Sequence, residues 1–505
     1  LSVAASFLGL LRDQSLASLF GAGRETDAFL VAWTVPEFAA TLLIEDGLAF
    51  ALIPAFSAAL ARRAKGDPGD PVRSLVARSL PRLALAFAAV GALLALAAPH
   101  FVTVLAPGLP DRDLAVDCTR FTATCVLSFG LAGYCSAALR AHRRFLAPAA
   151  IYVVYNVGII TAVYTLGSRF GVLSAAFGVA VGGCLMVLVQ LPSLVRQLCR
   201  HSPGRTAAAA GAADRQMNGA LLATVLLFAL CRQSQVLVER FLASMLPSGA
   251  ISHLNYAQKV AQIPMSLSLM LCTVTFPVVA RALADGDTER ARTRVERDIA
   301  LAACLVLLGT ATVVACAPQL IALLFQRDAF TAQDTAVTAD VMRVYALGLL
   351  GQTLTGVLVR SYFSAGRASW YPVAAMAAGI VTTSGTGAWA IGSWGVTGIA
   401  AANACGITLT SVLLLVGMRR WSVPVRTGLV LGRLSRPLCA AAVAAPAGVL
   451  AGGVPSSPSA GLLTGTAAVT VVFVLLGLVL RAPGSVPALR PVRTLTGRLV
   501  HAVLR

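Results

Sequence analysis

Three observations predict that this 505-residue chain is an all-α polytopic membrane protein. Its composition is 57% hydrophobic and 12% charged, with a mean hydropathy of +0.81, too apolar to give a soluble domain of this size a charged surface. About fourteen stretches reach the roughly 20 apolar residues needed to cross a hydrocarbon core. Basic residues also alternate between successive connections, as they do when loops sort to opposite sides of a bilayer.

The expected spans fall at about 3–20, 26–61, 82–106, 119–140, 146–167, 171–195, 217–243, 250–280, 299–325, 337–362, 371–394, 396–417, 434–454 and 459–480. One set of connections carries Arg62, Arg63, Lys65, Arg140, Arg143, Arg144, Arg196, Arg200, Arg290, Arg292, Arg367, Arg419 and Arg420, whereas the opposite set holds Arg24, Arg112, Arg169 and Arg327. The positive-inside rule therefore places both termini and the basic loops in the cytoplasm. Topology accounts for the net charge of +19, and nucleic acid is not expected as a partner. The first apolar stretch reads as a retained helix and not a cleavable signal; the sequence opens at Leu1 with no initiator Met, so a truncated start is expected. The eleven cysteines are scattered without a C-x-x-C pair and read as packing residues, not as disulfides or metal ligands.

An internal repeat organises the chain. Leu16-Ala-Ser18 before Gly21-Ala-Gly23 is echoed by Leu242-Ala-Ser244 before Pro247-Ser-Gly249, Pro36 and Pro54 by Pro264 and Pro277, and Ala98-Pro99 by Ala317-Pro318. The reading is a six-helix lobe over 1–200, a basic cytoplasmic linker over 201–216, a second six-helix lobe over 217–420, and two further helices with a basic tail over 421–505. Equal order and orientation make this a parallel repeat about an axis along the membrane normal, an architecture that places substrate sites between its halves.

Charges at membrane depth carry the functional signal, because they are costly and face cavities or partners and not lipid. Arg12 and Asp13 sit in the first span, Arg232 and Arg240 in the seventh and Lys259 in the eighth. Cations on equivalent helices of both halves point to an anionic ligand; guanidinium binds phosphate oxygens bidentately and ammonium acts as a point charge. Against this stands the reading that Arg12 and Asp13 neutralise buried charges and Arg240 snorkels to the interface. The acidic residues Asp13, Asp27, Glu37, Glu45, Asp46 and Glu239 would hold the arginines or bind a coupling cation or proton; Asp27 equally suits an N-cap within Thr26-Asp27. Pro36 and Pro54 in the second span, and Gln262, Pro264 and Pro277 in the eighth, mark broken helices suited to lining a cavity and to gating. No Walker loop, His-rich metal spacing or nucleophile elbow occurs, so a transporter is expected, without cofactor or metal, in preference to a membrane glycosyl- or phosphotransferase.

Gly9-Leu-Leu-Arg12-Asp13, Phe20-Gly-Ala-Gly23, Thr26-Asp27-Ala28-Phe29 and Glu45 with Pro54 resemble the opening of the MurJ/MviN family of lipid II flippases. Gly249-Ala-Ile-Ser252, Asn255-Tyr256-Ala257-Gln258-Lys259, Phe330-Thr331-Ala332-Gln333-Asp334 and Tyr362-Phe-Ser364 extend the resemblance over nearly the whole chain. It implies the multidrug/oligosaccharidyl-lipid/polysaccharide exporter superfamily, a bacterial inner-membrane location, and movement of an undecaprenyl-diphosphate-linked disaccharide pentapeptide from inner to outer leaflet. Membrane lipids and cell-wall synthesis proteins are the implied partners, and the last two helices are implied to form a groove for the lipid tail. Arg12 matches the family's diphosphate-binding arginine and Asp13 its acidic neighbour. Ala40 and Thr41 stand where the family often has two arginines, Gln258-Lys259 where it often has Asp-Arg, and the eleventh span lacks an acid for a sodium site. The substrate-binding set is thus Arg12, Asp13, Lys259, Arg240, Arg232 and Glu45, with Asp27, Pro36, Gln262 and Pro264 as cavity or gating residues. The alternatives are an exporter of another lipid-linked saccharide, a drug or metabolite antiporter, and an inactive scaffold or regulatory paralogue. The excess of interior cations argues against a cationic drug.

Overall fold

The computed structural model describes residues 2–45, 47–64, 70–199, 219–272, 282, 285–364 and 369–480. Asp46, Lys65, Arg200, Pro277, Arg367, the linker 201–216 and the basic tail lie outside these. Among the described residues all regular structure is helical. The chain forms two compact units, residues 1–252 with 327–331 and residues 253–326 with 332–505.

The first unit contains α1 (Ser2–Phe20), α2 (Arg24–Ala32), α3 (Thr34–Ala39), a π-helical turn (Ala40–Glu45), α4 (Gly47–Ala64), α5 (Pro71–Leu96), α6 (Ala98–Leu105), α7 (Arg112–Ala123), α8 (Cys125–Ala141), α9 (Leu146–Phe170), α10 (Leu173–Cys199) and α11 (Gly219–Ser244). The helix α12 (Ala250–Ala261) follows, and then α13 (Ile263–Cys272), α14 (Thr288–Ala315), α15 (Ala317–Phe325), α16 (Ala332–Ala346), α17 (Leu349–Ser364), α18 (Tyr371–Trp421), α19 (Thr427–Gly452) and α20 (Pro458–Val479). Polar loop residues set several starts: the Asp70 carboxylate accepts from the Val72 and Arg73 N–H groups, Asp287 from Arg290 and the Ser457 hydroxyl from Ala460.

Nine helices among the described residues are long and apolar enough to cross a membrane, and the pair α16 and α17, bent by 46°, supplies a tenth. The sequence leads one to expect about fourteen spans. Part of the difference lies in α1 and α11, whose apolar character is diluted by Arg12, Asp13 and Gln14 and by Arg232, Gln233, Gln235, Glu239 and Arg240. Another part is the break at Gln262, which leaves α12 and α13 with 12 and 10 residues. The 51-residue α18 runs through Gly395 at φ 53° and ψ −131°, a left-handed conformation open to glycine, which divides it into two helical stretches.

Small residues bring backbones together inside each unit. In the first, a Cβ on Gly178 would lie 2.8 Å from Ile159 Cα and one on Gly182 2.7 Å from the Tyr155 carbonyl oxygen, so α10 packs directly against the backbone of α9. In the second, a Cβ on Gly461 would lie 2.7 Å from the Gly452 carbonyl oxygen and one on Gly465 2.6 Å from Cys316 Sγ, closing a seam between α19, α20 and the start of α15. Buried Ala440, Ala444, Val469 and Phe473 continue that seam onto Leu307 and Ala311 of α14.

Candidate functional site

In the first unit Arg12 and Asp13 are buried, 7% and 6% exposed. The Arg12 Nε and Nη2 groups donate to Asp13 Oδ1 at 3.0 and 2.6 Å, and Nη1 donates to Asn156 Oδ1 at 3.2 Å. The guanidinium carbon lies 4.3 Å from the Trp33 ring centroid. Asn156 in turn donates from Nδ2 to the Tyr152 carbonyl at 2.8 Å, which directs its oxygen at Arg12. An ion pair, an amide oxygen and an aromatic face together offset the desolvation of the guanidinium. Three of its five N–H donors are committed, leaving two for a ligand.

Trp33 reaches Arg12 from the junction of α2 and α3. Pro36 lacks an N–H, so the Ala32 carbonyl four residues earlier has no helical donor; Thr122 Oγ1 of α7 donates to it at 3.1 Å. Pro36 is thus buried at a break whose backbone is re-satisfied by a neighbouring helix. The π-helical turn that follows ends at Glu45, and a Cβ on Gly133 of α8 would overlap the Leu43 carbonyl of that turn. Glu45 is exposed and accepts from the Tyr152 hydroxyl at 3.0 Å. Tyr152 and Asn156, four residues apart on α9, thereby join Glu45 to Arg12.

Arg240, 5% exposed, donates from Nη2 to Glu37 Oε2 at 2.8 Å and from Nη1 to Thr34 Oγ1, so it lies inside the protein and does not snorkel. Arg232, eight residues earlier, is exposed, and no other described residue hydrogen-bonds or pairs with it. Asp27 does not cap its own helix, where Gly23 is the cap residue. Its carboxylate accepts from the Gly249 N–H at 2.6 Å and from the Ser252 N–H and hydroxyl at 2.8 and 2.6 Å, at the start of α12. Gly249 has φ 97°, a conformation that favours glycine.

The second unit holds Lys259, Gln262 and Pro264. Lys259 is half-buried, and no other described residue hydrogen-bonds or pairs with it. Gln262 occupies the break between α12 and α13, with Pro264 just inside α13. In the same unit, the amide nitrogens of Gln258, Gln262 and Gln352 lie 2.9, 3.1 and 2.8 Å from the Tyr345 hydroxyl.

Arg12 with Asp13, and Arg240 with Glu37, are therefore paired within the first unit, whereas Arg232 stands apart from both. Asn156, Tyr152, Trp33, Thr34, Tyr345 and Gln352 are contacts that sequence reasoning missed. Asn156 and Gln352, as amides inside apolar stretches, carried a weak form of the signal that exposed Arg12.

The fold is that of membrane transporters. A solved structure titled lipid II flippase MurJ, inward closed conformation, aligns with a TM-score of 0.73 at 17% identity over 95% of this chain and 98% of that one. A multidrug resistance MATE family transporter of the MOP superfamily in an inward-facing conformation aligns with a TM-score of 0.64 at 14% identity over 85% of this chain and 95% of that one. The lipid II flippase MurJ of Burkholderia cenocepacia is 27% identical over 424 residues, 82% of this chain and 80% of its own length. The family model "Lipid II flippase MurJ" matches residues 16–471, and the chain belongs to that family, one of transporters and not of enzymes.

Proposed function

We propose that this chain moves lipid II, or a closely related lipid-linked diphosphate, from the inner to the outer leaflet of a bacterial cell membrane by alternating access. What supports the reading most is the state of Arg12: a guanidinium buried at membrane depth, held by Asp13, Asn156 and Trp33, with two donors uncommitted. A diphosphate would take those donors and compete with Asp13 for the rest, and charge-assisted hydrogen bonds strengthen in a water-poor site. Lys259 offers a second cation; Arg240 is already neutralised by Glu37, which assigns it to holding helices together before ligand binding. Asp27 serves the cycle as a detachable anchor for the start of α12. Fourteen crossings in two repeated six-helix lobes, 1–200 and 217–420, with two appended helices and cytoplasmic termini, complete the proposal.

Complementation of flippase-depleted cells tests it. Arg12→Met combined with Asp13→Leu, which strands no buried charge, should abolish rescue at unchanged membrane levels; normal rescue would remove Arg12 from the substrate site. A different lipid-linked saccharide is the second reading, favoured by the neutral Gln258 beside Lys259. Native mass spectrometry of the purified chain separates the two by the mass of the co-purifying diphosphate.

A further inference from the structure

The surroundings of Tyr345 contain more hydrogen-bonding capacity than they use. Tyr345 is 1% exposed, and three glutamine amides converge on its hydroxyl at 2.8 to 3.1 Å. A phenol accepts two hydrogen bonds and donates one, so three amide nitrogens exceed what its oxygen can accept. One amide must either turn its carbonyl oxygen to the phenolic proton or release its donor to another acceptor. All three glutamines are only half-buried, so part of each side chain is exposed at the surface of its unit.

Helical register adds a charge to this surface. The Gln262 N–H donates to the Gln258 carbonyl at 3.0 Å, which carries the register of α12 as far as Gln262 and sets it four residues from Gln258 and three from Lys259, spacings at which helical side chains are neighbours. None of Gln258, Lys259, Gln262, Tyr345 and Gln352 is acidic, and a lysine disfavours a cation among them. The cluster thus offers neutral donors and acceptors, with an ammonium nearby along the helix that no other described residue pairs. Its complement is an uncharged amide or hydroxyl group attached to an anion.

We infer that Gln258, Gln262 and Gln352, gathered on Tyr345 beside Lys259, form a subsite for the uncharged amide- and hydroxyl-bearing part of the head group. This rests on the lipid-diphosphate reading above and adds a recognition element to it: Lys259 meets the anion, and the amides read what the anion carries. Either an N-acetylated sugar or a peptide amide presents the required chemistry. Sites built to hydrogen-bond a substrate discriminate strongly against ligands lacking the matching group.

The test titrates the full chain in lipid nanodiscs with three probes: undecaprenyl diphosphate, the same lipid carrying the disaccharide, and the lipid carrying the disaccharide pentapeptide. Tyr345→Phe removes the shared hydroxyl with little change of shape, and Gln352→Met, at a half-buried position, serves as the second variant should the first lower the folded yield. Either variant should weaken binding of a head-group-bearing lipid by about three- to ten-fold and leave bare undecaprenyl diphosphate unaffected. A loss already present with the disaccharide lipid assigns the subsite to sugar; a loss confined to the pentapeptide lipid assigns it to peptide. Equal weakening of all three probes, or of none, overturns the subsite and leaves the diphosphate reading standing. If the unaltered chain binds none of the three, both fall.

Discussion

The surroundings of Arg12 and those of Lys259 solve the same problem, a cation inside a membrane protein, in opposite ways. Arg12 is enclosed by an anion, an amide oxygen and an aromatic face, the amide held in turn by the Tyr152 carbonyl and the ring packed against Phe29 and Tyr155. Lys259 is half-buried, without a partner among the described residues, on the same helix as Gln258, one of three amides that crowd their donors onto the Tyr345 hydroxyl. The first arrangement has most of its donors committed before a ligand arrives, so binding there would fill the two that remain and exchange the partners of the rest. The second is unfinished, so binding there adds interactions that were absent. A transporter must release what it binds, and in the proposed cycle exchange of partners at Arg12 would limit the net affinity there.

This contrast can be broken by removing one partner at a time. Asp13→Ala strands a buried guanidinium and should destabilise the protein by about 3–5 kcal/mol, read as a lowered melting temperature in detergent, whereas the pair Arg12→Met with Asp13→Leu should cost far less. A small effect for Asp13→Ala alone would show that Arg12 does not depend on its neighbour. Asp27→Ala removes the acceptor of three hydrogen bonds at a helix start and should cost about 2–3 kcal/mol, with faster hydrogen exchange confined to the first turn of α12. Asn156→Leu takes away one charge-assisted bond and should cost roughly 1.5–3 kcal/mol, while reducing rescue in cells more than an equally destabilising change remote from Arg12. Lys259→Met should lie within about 0.5 kcal/mol of the unaltered protein, because no hydrogen bond or ion pair to a described residue is lost. Lys259→Arg should keep transport and Lys259→Gln should lose it; equal activity of the two would take Lys259 out of the binding site.

Much of this was legible in the sequence for one physical reason, the cost of charge at membrane depth. That cost made Arg12, Asp13, Arg240 and Lys259 conspicuous without any knowledge of their neighbours. It speaks only weakly of neutral partners: Asn156 lies 144 residues from Arg12, and its amide, like that of Gln352, differs little from other polar residues tolerated in apolar spans. Tyr345 was hidden altogether, because tyrosine in a helix carries no obligatory meaning. The helix breaks divide similarly. The boundary between the spans expected at 371–394 and 396–417 falls on Gly395, whose conformation it needs. The region 26–61 reads as one long apolar stretch, yet it contains two helices, a π-helical turn and a fourth segment. Pro36 announced a break there, but its position depended on Thr122 of a distant helix and on the space left by Gly133.

The glycine seam between α19 and α20 has a consequence for any polyprenyl chain that lies against this hairpin. Gly452 and Gly461 approach so closely that even one added methyl group would collide with a carbonyl. An alkyl chain therefore cannot thread between these two helices at that level, and a tail that uses this hairpin would have to lie on one of its faces, where its length is not set by the gap between the helices.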